Sequence, residues 1–156
     1  MNLKYTEILK DCKVWFLSIY CGLAVLLWGC SPSQNDRNPY LNEIPFQVEI
    51  NLNLPQYDAL RFTGGTVRTS QGGINGLLLL NLNGSQILAW EASCPNHSLS
   101  SCSALEIEGV LAQCQCSHQA RYSLATGQWL NPDEDNTYPL LNYITRQNGN
   151  ILRISN

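Results

Sequence analysis

The chain is 156 residues long, which suits one globular domain with appendages and excludes two domains of ordinary size. Only 13% of the residues are charged, and the formal net charge is −3, with every lysine among the first 13 residues. This acidic balance argues against nucleic acids and anionic lipid surfaces as partners.

Residues 1–29 have the pattern of an export signal. A segment with three lysines and two acids is followed by Val14–Gly29, in which no residue is charged. This run is shorter than a membrane-spanning helix requires and suits the core of a signal peptide, with a true membrane anchor as the alternative. The run LLWGC, residues 26–30, resembles a bacterial lipobox, which implies cleavage before Cys30 and acylation of that cysteine. We therefore expect a lipoprotein in the cell envelope of a Gram-negative bacterium, held to a membrane by its acyl chains.

Residues 30–45 are predicted to form a flexible tether, because most of this segment is polar and carries prolines. The globular domain then spans residues 46–156. Its first strand is FQVEINL, residues 46–52, which alternates apolar and polar side chains. Two further short segments, LRF and TVR, follow on either side of Gly64-Gly65.

The middle of the domain predicts a hairpin. The continuous apolar run GLLLLNL, residues 76–82, suits a strand that is covered on both faces. Asn83-Gly84 is a strong turn signal, and ILAWEA, residues 87–92, is the returning strand. Trp90 is expected to pack in the core.

The remaining segments continue the same pattern. LEIEGVLAQC, residues 105–114, predicts a second hairpin, and YITRQNGNILRIS, residues 143–155, predicts a third around Asn148-Gly149. Between them, RYSLATGQ, residues 121–128, contains a turn at Thr126-Gly127, and NPDEDNTYP, residues 131–139, is a polar acidic loop. Many short strands with closely spaced turns predict a small all-β barrel or sandwich. Asp133, Glu134 and Asp135 are interpreted as solvated charges, and Tyr122 and Trp129 as packing residues.

The cysteines and histidines of the domain lie close together in the sequence. Apart from Cys30 and two cysteines in the signal, the chain has Cys94, Cys102, Cys114 and Cys116, all within 23 residues. Both histidines of the chain follow a cysteine, as Cys94-x2-His97 and Cys114-x3-His118. Disulfides are permitted in an exported protein. Two thiolates and two imidazoles on two hairpin loops can also hold a metal centre between them.

This pattern resembles the Rieske iron–sulfur family, in which one loop carries C-x-H and the other C-x2-H. RYSLATGQ resembles the segment that follows the second loop in that family, and Tyr122 has the family spacing of four residues from His118. The resemblance covers about residues 46–156. It implies a small β barrel or sandwich of short antiparallel strands with two cluster-binding loops. The [2Fe–2S] cluster would be bound by Cys94, His97, Cys114 and His118.

Two further properties follow from the resemblance. Cys102 and Cys116 would form a disulfide that ties the loops together. The protein would carry single electrons to a redox partner protein rather than act as an enzyme. Consistent with this, no nucleophile–base–acid order, phosphate-binding glycine loop or carboxylate pair in the sequence indicates hydrolysis.

Three alternatives stay open at the level of sequence. Each loop is one residue longer than the family pattern, so the loops either bulge and still deliver four ligands or have lost the cluster. In the second case the protein is a redox-silent binding or structural module stabilised by disulfides, Cys94–Cys114 and Cys102–Cys116. Zinc is the third alternative, although the cysteine spacings differ from those of common zinc knuckles. An alignment on Tyr122 would put Gln115 at the cysteine position, and Gln119 stands where the family has glycine.

Overall fold

The computed structural model describes residues 38–130 and 138–156. The predicted signal peptide, Cys30 and Asp133–Asp135 lie outside the described residues. The described strands are β1 (Gln47–Asn51), β2 (Thr66–Thr69), β3 (Leu77–Asn81), β4 (Ile87–Glu91), β5 (Leu105–Glu108), β6 (Leu111–Cys114), β7 (Arg121–Ser123), β8 (Asn142–Asn148) and β9 (Ile151–Ser155). The prediction of an all-β domain is confirmed.

The strands form two antiparallel sheets. The larger sheet has the order β1-β9-β8-β4-β3-β2 and curls into half a barrel, and the smaller sheet has the order β5-β6-β7. Each predicted hairpin forms: β3 pairs with β4, β5 with β6, and β8 with β9. A glycine with positive φ stands in each of these three turns, at Gly84, Gly109 and Gly149.

Strand β3 separates two apolar cores. Leu78 and Leu80 point into a core shared with the smaller sheet, whereas Leu77 and Leu79 point into a core inside the curl of the larger sheet. All five residues of the strand are buried. The run GLLLLNL therefore has no polar face because both faces of its strand are covered, as the sequence predicts.

The segment before β2 differs from the short strand that LRF suggests. Residues Pro55–Arg61 form a 3-10 helix, with Tyr57 and Leu60 buried beneath it. Pro55 suits the first turn, because its fixed φ matches the helix and no backbone N–H is needed there. The apolar residues of LRF thus belong to a helical turn and its exit.

The start of the described chain packs against the domain. Leu41 is buried, and the Asn38 side-chain amide donates a 2.7 Å hydrogen bond to the carbonyl of Pro95. These residues fall in the segment predicted as a tether, so its described part contacts the domain. Among the described residues, no helix has the length and apolar character required to cross a membrane.

Gly127 leaves no room for a side chain beside the ring of Trp90. Its φ is +73°, and a Cβ atom there would lie 2.5 Å from the ring of Trp90. The Trp90 indole is held in place by its hydrogen bond to the carbonyl of Leu124, 2.8 Å away. We expect Gly127→Ala to lower the free energy of unfolding by about 2–4 kcal/mol, since strain at positive φ adds to steric overlap.

Gly149→Ala is the matched control for this change. Gly149 has a φ of +58°, and no atom lies within 4 Å of an added Cβ there. The free energy of unfolding of Gly149→Ala should therefore fall only by the cost of the positive φ, about 1–2 kcal/mol. Urea unfolding of the two variants checks the expectation, and equal losses would contradict the proposed contact with Trp90.

Candidate metal centre

Two loops at one end of the smaller sheet, and Cys114 at the end of the strand that enters the second loop, carry all the cysteines and histidines of the described residues. Loop 1, residues 92–104, joins β4 to β5, and loop 2, residues 115–120, joins β6 to β7. Leu105 pairs with Cys114 across the sheet, and its backbone N–H donates to the carbonyl of Ala92. These hydrogen bonds bring Cys94, two residues beyond Ala92, next to Cys114.

Four ligand atoms converge between the loops. The two cysteine sulfurs and one ring nitrogen of each histidine, from Cys94, His97, Cys114 and His118, all lie within 4.8 Å of one another. The Sγ of Cys94 lies 3.6 Å from Nε2 of His118, and the Sγ of Cys114 lies 3.2 Å from Nε2 of His97. Each thiol is thus in contact with the imidazole of the opposite loop. The structure brings together the four residues that the sequence singled out.

The thiols and the imidazoles differ in their exposure. Cys94 and Cys114 are fully buried in the core shared by the two sheets. His97 and His118 are half-buried, with their rings in edge-to-face contact at a centroid distance of 4.9 Å. The group therefore has an inner side of sulfur and an outer side of imidazole that reaches the surface.

Hydrogen bonding fixes the form of His97 that suits metal binding. Its Nδ1 lies 3.0 Å from the carbonyl oxygen of Ser98, which can only accept, so Nδ1 carries the hydrogen. In the neutral ring, Nε2 then has a free lone pair and faces the centre of the group. A backbone carbonyl that holds the far nitrogen of a ligand histidine is typical of metal sites.

The pKa values of the two buried thiols are shifted in opposite directions. A hydrogen bond from Cys114 lowers the pKa of Cys94 to about 5, against the effect of burial, with help from the backbone at Asn96, the Tyr122 hydroxyl and His118. The same contact with Cys94, together with burial, raises the pKa of Cys114. Cys94 is therefore the thiolate of the pair, and Cys114 is its hydrogen-bond donor.

A disulfide crosslinks the two loops beside this group. Cys102 of loop 1 is bonded to Cys116 of loop 2, with a Cα–Cα distance of 5.0 Å. This is the pair that the resemblance implies. Cys94 and Cys114 are free thiols, so both sulfurs are available to a metal.

The donor set can be compared with two kinds of metal centre. Two thiolates and two imidazoles fit a mixed-ligand [2Fe–2S] cluster in kind. Around a single tetrahedral ion, donors at about 2.3 Å for sulfur and about 2.0 Å for nitrogen lie roughly 3.3–3.8 Å apart. The sulfur–nitrogen distances of 3.2 and 3.6 Å are close to this second spacing.

The structure also decides which residues of loop 2 belong to the group. Gln115 is exposed, so Cys114, the last residue of β6, is the candidate ligand where the chain enters this loop. Gln119 has a φ of +45° and is the only non-glycine residue with positive φ in the described parts of the chain. The backbone at this position therefore has the left-handed conformation that glycine adopts most easily.

Asn96 was not indicated by the sequence pattern, and Tyr122 was interpreted there only as a packing residue with the family spacing from His118. Asn96 is buried and contacts both Tyr122 and Tyr138, and Tyr122 places its hydroxyl 3.6 Å from the sulfur of Cys94. Burial and the neighbouring Cys94 raise the pKa of Tyr122, so its hydroxyl keeps its hydrogen. Only the position of Asn96 between Cys94 and His97 could have drawn attention to it.

No protein-family model matches this chain, and no curated protein matches it significantly. What the structure itself establishes is an all-β domain with a disulfide and a Cys/His group that could hold a metal ion.

Proposed function

We propose that this protein is a Rieske-type electron carrier, anchored to a membrane of the cell envelope through acylated Cys30. The observation that carries the proposal is the convergence of two thiols and two imidazoles between two crosslinked loops. Cys94 and Cys114 would bind one iron of a [2Fe–2S] cluster, and His97 and His118 the other. When bound, the cluster supplies reversible one-electron transfer at a potential raised by its neutral imidazole ligands.

The residues around the group support such a role. The buried thiols lie against core residues such as Leu105 and Ala112, which keep water away from the sulfur side. The half-buried imidazoles of His97 and His118 form the side that a redox partner protein can approach. Because the two thiols are buried and only the imidazoles reach the surface, we infer that electrons would enter and leave through the histidine side.

A single tetrahedral metal ion is the second candidate, with Zn²⁺ as the leading choice. It is favoured by one observation, the contact of each thiol with the imidazole of the opposite loop. In a Rieske cluster the two cysteines share one iron and the two histidines share the other, so thiol and imidazole would stand at opposite ends. Around one ion, all four donors are neighbours, and a closed site of this kind would be structural.

Metal reconstitution of the full-length protein distinguishes these functions. Iron and sulfide, added anaerobically, should give a red-brown protein with two irons per chain and, after reduction, an electron paramagnetic resonance signal with the low average g-value of mixed Cys/His ligation. One zinc per chain and no iron–sulfur chromophore would replace the first proposal with the second. A colourless protein that binds neither metal would support the redox-silent module.

A further inference from the structure

Asn96 is one of the two residues between Cys94 and His97, where a C-x-H loop has one. Its side chain is only 8% exposed, although loop residues Ser98, Leu99 and Ser100 nearby are exposed. A polar side chain that turns inward from a surface loop is stable only if its amide finds hydrogen-bond partners. The partners that Asn96 finds connect the loop to the environment of the Cys94 sulfur.

The backbone of Tyr138 fixes the orientation of the Asn96 amide. The N–H of Tyr138 donates to Oδ1 of Asn96 at 2.8 Å, and Nδ2 of Asn96 donates to the carbonyl of Tyr138 at 2.9 Å. A reversed amide would set donor against donor and acceptor against acceptor. The oxygen and nitrogen of the amide are therefore assigned by their contacts.

This orientation determines the direction of the next hydrogen bond. Nδ2 of Asn96 also lies 2.9 Å from the hydroxyl of Tyr122 and can only donate to it. The Tyr122 oxygen accepts this hydrogen, and its own single hydrogen is left for another acceptor. Its other neighbour is the sulfur of Cys94, 3.6 Å away.

We propose that Asn96 is a positioning residue that makes the Tyr122 hydroxyl a hydrogen-bond donor to the Cys94 sulfur. The inference rests on the proposed function only in taking Cys94 as a metal ligand, and it holds for a cluster or a single ion. A hydrogen bond to a ligand sulfur withdraws electron density from it, which weakens donation to the metal and favours the reduced state of a redox centre. Asn96 would thus tune the sulfur of a ligand two positions before it in the chain.

Asn96→Asp tests the direction of this chain of hydrogen bonds. The carboxylate keeps the shape of the amide and can accept from the N–H of Tyr138, but it cannot donate to Tyr122. The Tyr122 hydroxyl should then donate to Asp and no longer to Cys94. In the full-length protein loaded with Co²⁺, the thiolate-to-metal charge-transfer band should shift to longer wavelength, because a more electron-rich sulfur is oxidised more easily.

Two further variants measure how large the band shift can be and whether Asn96 acts through Tyr122. Tyr122→Phe removes the donor itself and should shift the band in the same direction by a similar amount. The double variant should match Tyr122→Phe alone, because Asn96 acts through the hydroxyl. Additive shifts would overturn the inference.

Asn38→Asp is the matched control. Asn38 makes the same type of contact with loop 1, an amide donating to the carbonyl of Pro95 at 2.7 Å, and this hydrogen bond does not involve Tyr122. This variant should leave the band in place, and an equal shift would show that loop 1 is merely loosened. If Asn96→Asp does not fold, Asn96→Ala replaces it in the same comparison.

The experiment separates failure of the inference from failure of the proposed site. Uptake of Co²⁺ with the same band in the unchanged protein and in Asn96→Asp would overturn only the role of Asn96. An unchanged protein that takes up no Co²⁺ would overturn the metal site and the inference with it.

Discussion

Cys114→Ser will abolish metal binding at micromolar metal while leaving the β domain folded. Cys114 is fully buried, and its sulfur lies 3.2 Å from the imidazole of His97 in the middle of the ligand group. A serine hydroxyl stays protonated at neutral pH and is a hard, weak ligand for iron or zinc. Since changes outside the ligand sphere alone cost about 10–100-fold in affinity, loss of a thiolate should cost at least about 100-fold.

His118→Ala extends the same prediction to the imidazole side. His118 lies 3.6 Å from the sulfur of Cys94 and is half-buried, so its removal should also abolish metal binding with little change in stability. Gln115→Ala and Ser117→Ala are the controls, because both residues are exposed neighbours of the ligands on loop 2. Metal content per chain and titration with a chromophoric chelator give the affinities.

These variants also decide between the open alternatives. If His118→Ala binds metal as tightly as the unchanged protein, the four-ligand group is wrong and a smaller set of donors holds the ion. If no variant differs because none binds metal, the disulfide-stabilised module becomes the better description. Loss in both ligand variants with retention in both controls is the result that the geometry predicts.

The sequence predicted most of the strands because their signals are local. In β3, five consecutive buried residues produce the apolar run that indicated a strand covered on both faces. At Asn83-Gly84 and Asn148-Gly149, the turn residues alone indicate a hairpin, and the structure forms one at each. The 3-10 helix Pro55–Arg61 was missed because seven residues are too few to display a helical period.

The sequence indicated the cysteines and histidines of the candidate site but not the polar contacts around them. Cysteines and histidines are rare, so their pairing along the chain is visible at short range, and the convergence of the two loops follows from the hairpins that carry them. Asn96 contacts Tyr138, 42 positions later in the sequence, and Asn38 contacts Pro95, 57 positions later. Asparagine is an ordinary loop residue, so neither contact leaves a pattern in the sequence. Such contacts depend on how the loops pack, which becomes visible only in the folded chain.

Replacement of both Cys102 and Cys116 by alanine should destabilise the domain. The disulfide closes a loop with a sequence separation of 14 residues that contains the turn between β5 and β6. In the chain-entropy model, a loop of this length contributes about 3 kcal/mol to the free energy of unfolding. For a domain of this size, that loss corresponds to a decrease in melting temperature of roughly 10–15 °C.

Metal binding should weaken in the same double variant, although none of the four ligands is changed. His97 lies on loop 1 and His118 on loop 2, and the disulfide is the covalent link that holds these loops together beside the ligand group. Without it, binding must order both loops, so part of the binding free energy is used for that ordering. The unchanged protein treated with a reductant that opens the disulfide is the control, and it should reproduce both losses. A double variant with unchanged melting temperature and unchanged metal affinity would show that the strand pairing of Leu105 with Cys114 already fixes the loops on its own.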